Sequence, residues 1–187
     1  MVSWLKKKLQ ANRLQVITWV FNDSEPEESS NQIEHEEQVI FFSSDAAQYR
    51  WFSENECRVA FEGGSFIAPD IAGRDLTVFS PSAGHETVIV EVIQTHYPDQ
   101  ETFFRLLSLS SVGHLVIFHF VASGKWTSKF NRCDIEDGVI KLRPAYYLAQ
   151  GHVFKNGREW NKPDNQSDEQ WYSYLESTYF KHAMENK

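Results

Sequence analysis

Cysteine is scarce in this chain. There are two in 187 residues, Cys57 and Cys133, each standing alone. No CxxC spacing exists, which argues against a structural zinc site. Two isolated thiols behind a charged N-terminus, with no secretory leader, fit a reducing cytoplasm. Long apolar runs are also missing. None approaches the roughly 18 residues needed to cross a bilayer, so no membrane span is expected. Positive charge is in deficit, with 18 Lys and Arg against 26 Asp and Glu and a net charge of −8. That argues against a broad, sequence-blind grip on nucleic acid, while leaving room for a local basic groove. Internal repeats and low-complexity tracts are absent.

What is present suffices for one domain over residues 1–187, since 41% of residues are hydrophobic and 14% aromatic. The N-terminus reads as a docked amphipathic helix with Trp4, Leu5 and Leu9 on one face, or as a membrane-surface anchor. Leu14 to Phe21 reads as a strand, Asn22 to Glu37 as an acidic loop, and Val39 to Phe42 as a short strand. Ser44-Asp45 reads as the cap of a helix reaching Ser53. Strand patterns follow at Cys57–Glu62 and, after the Gly63-Gly64 turn, at Phe66–Phe79, with an interruption near Gly73. Thr87–Thr95 reads as a strand buried on both faces. Pro98-Asp99 opens a helix carrying Phe103, Leu106, Leu107 and Ser110 at helical spacing, closed by Gly113. His114 to Val121 is a further strand. Trp126 to Leu142, with Lys129 and Lys141, reads as a hairpin turned at Asp137-Gly138. Ser167-Asp168-Glu169-Gln170 is a capping box that opens a helix to about Met184, with Trp171, Tyr174, Leu175 and Tyr179 as its stripe. The fold class is therefore α/β, with a core over 44–121, an N-terminal extension 1–43 and a C-terminal extension 122–187.

Two acidic residues stand out against this pattern. Asp70 opens a β segment directly after Pro69, and Glu91 interrupts the apolar run Val88-Ile89-Val90-Glu91-Val92-Ile93. A carboxylate in such a run needs a metal, a basic residue or a proton partner. Asp70 also reads as a turn residue after Pro69, and Glu91 as a half-buried partner of Arg74, Arg105 or Lys129. Two carboxylates on neighbouring strands, with an upstream Glu, form a set suited to a hard divalent cation that activates water against a phosphodiester. His114 and His119 bracket an apolar strand at odd spacing, which places them on opposite faces. Lys125 and Lys129 read as surface lysines, and Trp126 and Trp160 lie in polar context suited to base stacking.

Placed on this order of elements, the Pro69-Asp70 and Glu91 pattern resembles the PD-(D/E)XK nuclease superfamily over Ser44 to about Val121. The resemblance implies a restriction-endonuclease-like mixed sheet with an α-β-β-β-α-β core flanked by helices. An N-terminal strand and a C-terminal hairpin plus helix would extend it. It also implies Mg²⁺ held by Asp70 and Glu91, with Glu54 or Glu56 completing the metal site. The position of that family's Lys, two residues after the Glu, is Ile93. The run Glu91-Val92-Ile93-Gln94-Thr95-His96 is similar to a competence-associated nuclease-like branch that lacks this Lys. Gln94, Thr95 or His96 would then orient water or substrate, and Arg105 would stabilise developing charge. Alternation places Gln94 and His96 opposite to Glu91 unless the strand ends or bulges before His96. Two functions are expected on this basis. One is a metal-dependent nuclease-like hydrolase acting on DNA or RNA phosphodiesters. The other is a catalytically inactive nuclease-fold protein that binds a basic partner, such as an immunity or regulatory protein of bacterial or phage defence. In the second case Glu25, Glu27 and Glu28 of the acidic loop would meet that partner. A subunit that binds nucleic acid without cutting it is a third option.

Overall fold

The computed structural model describes residues 1–21, 35–121 and 131–181. These form a mixed α/β fold in three layers. Helix α1 (Val2–Ala11) leads into strands β1 (Arg13–Phe21) and β2 (His35–Phe42), followed by β3 (Tyr49–Phe52), the short pair β4 (Val59–Ala60) and β5 (Phe66–Ile67), β6 (Ile71–Asp75) and β7 (Thr87–Ile93). Helix α2 (Gln100–Ser110) crosses to β8 (His114–Phe120). The hairpins β9 (Asn131–Glu136) with β10 (Val139–Pro144), and β11 (Tyr146–Ala149) with β12 (His152–Lys155), come next. Strand β13 (Arg158–Glu159) and helix α3 (Asp168–Leu175), continued by a wider π turn over Glu176–Lys181, complete the order.

The central layer is a seven-stranded sheet in the order β13-β12-β11-β8-β7-β6-β3. Within it β6 runs antiparallel to both β3 and β7, and β7 is parallel to β8. Side-chain alternation splits its apolar residues between two cores. Ile89, Ile93, Val116 and Phe118 pack under α2 and α3 with Phe103, Leu106, Trp171 and Phe180. Val88, Val90, Leu115 and Ile117 pack on the other face with Leu5 and Leu9 of α1 and Leu14, Val16, Ile140 and Leu142. Those last four belong to a second sheet, β2-β1-β10-β9, in which β1 pairs in parallel with β10. The N-terminal and C-terminal extensions thus build one layer together. Among the described residues no helix is long and apolar enough to cross a membrane.

Several local expectations are corrected. Residues 44–53 form no helix. Asp45 Oδ1 accepts the Ala47 N–H and Gln48 Oε1 accepts the Ser44 N–H, so the apparent cap closes a turn instead. Tyr49 and Trp51 then alternate into the core as strand β3, paired with β6. Gly73 does not interrupt its strand. It lies inside β6 opposite Trp51, and a Cβ there would stand 2.5 Å from the indole ring. The break falls at 68–70. On α1, Leu5 and Leu9 are buried but Trp4 is 45% exposed. On α3, Tyr172 joins the buried stripe and Tyr174 faces outward. Of the loop expected over 22–37, His35–Glu37 belong to β2. The remainder, with Glu25, Glu27 and Glu28, and the segment with Lys125, Trp126 and Lys129, lie outside the described residues. The Asp137-Gly138 turn is present with both residues at positive φ, as a tight two-residue hairpin requires.

Candidate functional site

The register of β6 on β7 pairs Ile71 with Val90 and Ala72 with Ile89. One step further along the same register sets Asp70 across from Glu91. Directly opposed residues of an antiparallel pair share a face, so both carboxylates belong to the helix-side face of the sheet. The backbone ladder stops there. The Val92 N–H donates to Asp70 Oδ2 at 2.8 Å, so the side chain continues the pairing that the main chain leaves off. Pro69 explains the break, since it has no N–H to give a ladder. Its carbonyl accepts the Glu54 N–H at 3.0 Å and the Cys57 thiol at 3.2 Å. A 3₁₀ turn over Glu54–Glu56 therefore clamps the residue before Asp70. Within that turn Glu54 sits at φ +41°, a left-handed conformation uncommon for a side-chain-bearing residue.

The two candidate upstream acids have different surroundings. Glu56 closes a capping box with Ser53 and takes a 2.6 Å ion pair from Lys6 of α1. Its pKa is lowered, first by the Lys6 hydrogen bond. Glu54 instead turns its charge on Asp70. Burial raises the Asp70 pKa, the Val92 N–H opposes this, and the Glu54 charge raises it again. Glu91 is half-buried, and burial, then repulsion from Asp70, push its pKa up to about 8. Cys57 feels the same field. Its pKa rises to about 11 through burial, then through Glu91. The charge of Glu54 thus acts on Asp70, and that of Asp70 on Glu91.

Asp70 and Glu91 open into a cleft of about 480 Å³ that Gln94, Thr95, His96, Thr102 and residues 1–3 also line. Strand β7 ends at Ile93, a bend over Gln94 and Thr95 follows, and His96 lines the same cleft as Asp70 and Glu91. His96 Nδ1 lies 2.8 Å from Thr95 Oγ1. Ile93 itself is 3% exposed and belongs to the core under α2. Arg105 is held by Glu101 and by the Phe61 ring, and Arg74 sits opposite Arg50 on β3. Neither figures among the charges that shift Glu91. His114 and His119 lie on opposite faces of β8, and burial holds the His119 pKa down at about 4.

Lys6 is the feature that the sequence pattern missed. It carries a charge felt at Cys57 and is fixed by Ser53 Oγ at 3.1 Å. It is 64 residues upstream of Asp70, and nothing local in the sequence links the two. Among the described residues no three His, Cys, Asp or Glu side chains are gathered so as to hold a metal by themselves. No family model matches the chain, and no curated protein or solved structure matches it significantly.

Proposed function

We propose that this protein is a metal-dependent, nuclease-like protein that acts on nucleic-acid phosphodiesters through Asp70 and Glu91, in the cytoplasm. The observation that carries the reading is the pair of half-buried carboxylates opposed across β6 and β7. Two like charges held together out of water are costly unless a cation or a proton joins them. The element order supports it as well. Helix α1 packs on β3, and β3, β6, β7, α2 and β8 then follow as the α-β-β-β-α-β order of a restriction-endonuclease-like core. In this reading α1 takes the place of the helix expected at 44–53, β1 and β2 form one insertion, and the short pair β4 and β5 forms another between β3 and β6.

Mg²⁺ bound there would neutralise phosphate charge and lower the pKa of a bound water. The chain's own residues divide the remaining work. Asp70 and Glu91 hold the cation, with Asp70 oriented by the Val92 N–H. Glu54 supports it from the neighbouring turn. His96, fixed by Thr95, and Gln94, which line the same cleft, orient water or substrate. Ile93 contributes only packing.

The burial of Ile93 favours a second reading, since an apolar core residue stands at the chain position where the resemblance expects the water-positioning Lys. This is a catalytically inactive nuclease-fold protein that serves as an immunity or regulatory partner of a basic protein in a bacterial conflict system. The test is cleavage of single- and double-stranded DNA and RNA with Mg²⁺ or Mn²⁺. Activity of the wild type that Asp70→Asn and Glu91→Gln both remove supports the first reading. A wild type that cuts none of these substrates transfers the weight to the second.

A further inference from the structure

Helix α1 carries three consecutive lysines, Lys6, Lys7 and Lys8, and no acidic residue, in a chain with 18 Lys and Arg against 26 Asp and Glu. Three stripes run along that helix. Val2, Leu5 and Leu9 pack into the sheet-side core. Ser3, Lys6, Lys7 and Gln10, at i, i+3, i+4 and i+7, line a groove of about 580 Å³ closed on the far side by Ser53. Trp4, 45% exposed, follows Ser3 and precedes Lys7 by one helical turn, with the Lys8 ammonium 5.9 Å from its ring. Ser3 lines both this groove and the carboxylate cleft, so the two adjoin. Lys6 is held in place by Ser53 and Glu56.

We infer that the α1 groove binds the phosphate backbone of a single-stranded nucleic acid and leads it to the Asp70–Glu91 cleft, with Trp4 as a stacking surface for a base. The inference rests on the nuclease-like reading and names its substrate class. Charge complementarity selects the ligand. A polyanion cannot approach carboxylates from an acidic face, and α1 offers it a cationic approach that ends at them. An exposed indole beside a basic groove is the combination by which single strands are held without sequence preference.

The test uses the full chain with a fluorescent oligothymidine and an equivalent duplex, in EDTA so that nothing is cut, with anisotropy read against salt. Lys7→Gln should lower the slope of log K against log salt by about 0.7, the value of one single-strand phosphate contact. Trp4→Ala should weaken binding by at least about five-fold, the loss of one stacked base. Both side chains are exposed, so the variants keep the fold, which circular dichroism checks. Unchanged affinity and slope in both variants overturn the inference. So does tighter binding to the duplex, or binding confined to anionic phosphatidylserine vesicles. Cleavage assays separate the two readings. A wild type that cuts while both variants bind as it does removes the groove and keeps the nuclease. A groove that binds as described in a protein that never cuts removes the nuclease and keeps the groove.

Discussion

Replacing Glu91 by Gln should change how the stability of this protein depends on pH. Burial and Asp70 raise the folded pKa of Glu91 to about 8, against 4.5 for the free side chain. A carboxyl group whose pKa is raised by folding stabilises the native state most when protonated. Its contribution is complete below about pH 4.5 and is lost as pH rises toward 8. Each unit corresponds to about 1.4 kcal/mol, so the wild type should lose up to about 4 kcal/mol between pH 5 and pH 9 through this group. Asp70 titrates with it and shifts in the same direction, so the loss belongs to the pair. The amide of the Glu91→Gln variant has no charge to desolvate, and that variant should keep most of the stability at pH 9. Urea denaturation of both proteins at pH 5, 7 and 9 measures it, in EDTA so that no cation relieves the repulsion. Parallel pH profiles for wild type and Glu91→Gln would refute the idea that the two carboxylates repel each other in a desolvated site.

Other substitutions test separate parts of the structure. Gly73→Ala should cost about 2–3 kcal/mol in denaturant midpoint, because the added methyl meets the Trp51 ring inside a filled core. Asp75→Asn should cost about 2–4 kcal/mol at neutral pH, since the buried carboxylate accepts from Gln48, from the backbone and hydroxyl of Thr77, and from His85. For Asp75 burial raises the pKa, but the bonds from Thr77, His85 and Gln48 outweigh it and hold the group well below its usual value. Its stabilisation is therefore present above about pH 4 and lost as pH falls, which acid titration of wild type and variant would show. His96→Ala should reduce any cleavage rate about 100-fold while leaving metal affinity unchanged, as measured by kinetics and calorimetry side by side.

The carboxylate pair was legible because each member breaks a local rule. Asp70 opens a strand after Pro69, and Glu91 sits in a run that otherwise belongs wholly to the core. The capping box at Ser167 was legible for the same local reason, and both of its hydrogen bonds are present, Gln170 N–H to Ser167 Oγ and Ser167 N–H to Gln170 Oε1. Ser44-Asp45 misled, because a capping residue and an Asx turn use the same side chains. The alternation of Tyr49 and Trp51 was the better signal for that segment. Two-residue turns at Gln150-Gly151 and Asn156-Gly157, all at positive φ, announce the hairpins of β11 to β13 and went unread. The parallel pairing of β1 with β10 joins residues more than a hundred positions apart. The placement of Lys6 against Glu56 depends on how α1 docks. Neither leaves a trace in local periodicity, because long-range pairing is decided by the whole core.

Calorimetric titration of Mn²⁺ or Mg²⁺ into wild type, Asp70→Asn and Glu91→Gln tests the central claim most directly. The account predicts one divalent site in the wild type, with proton release on binding at pH 7 because Glu91 must ionise to serve as a ligand. It also predicts that either substitution abolishes that site. Equal binding by all three proteins, or no binding by the wild type at millimolar cation, would contradict it.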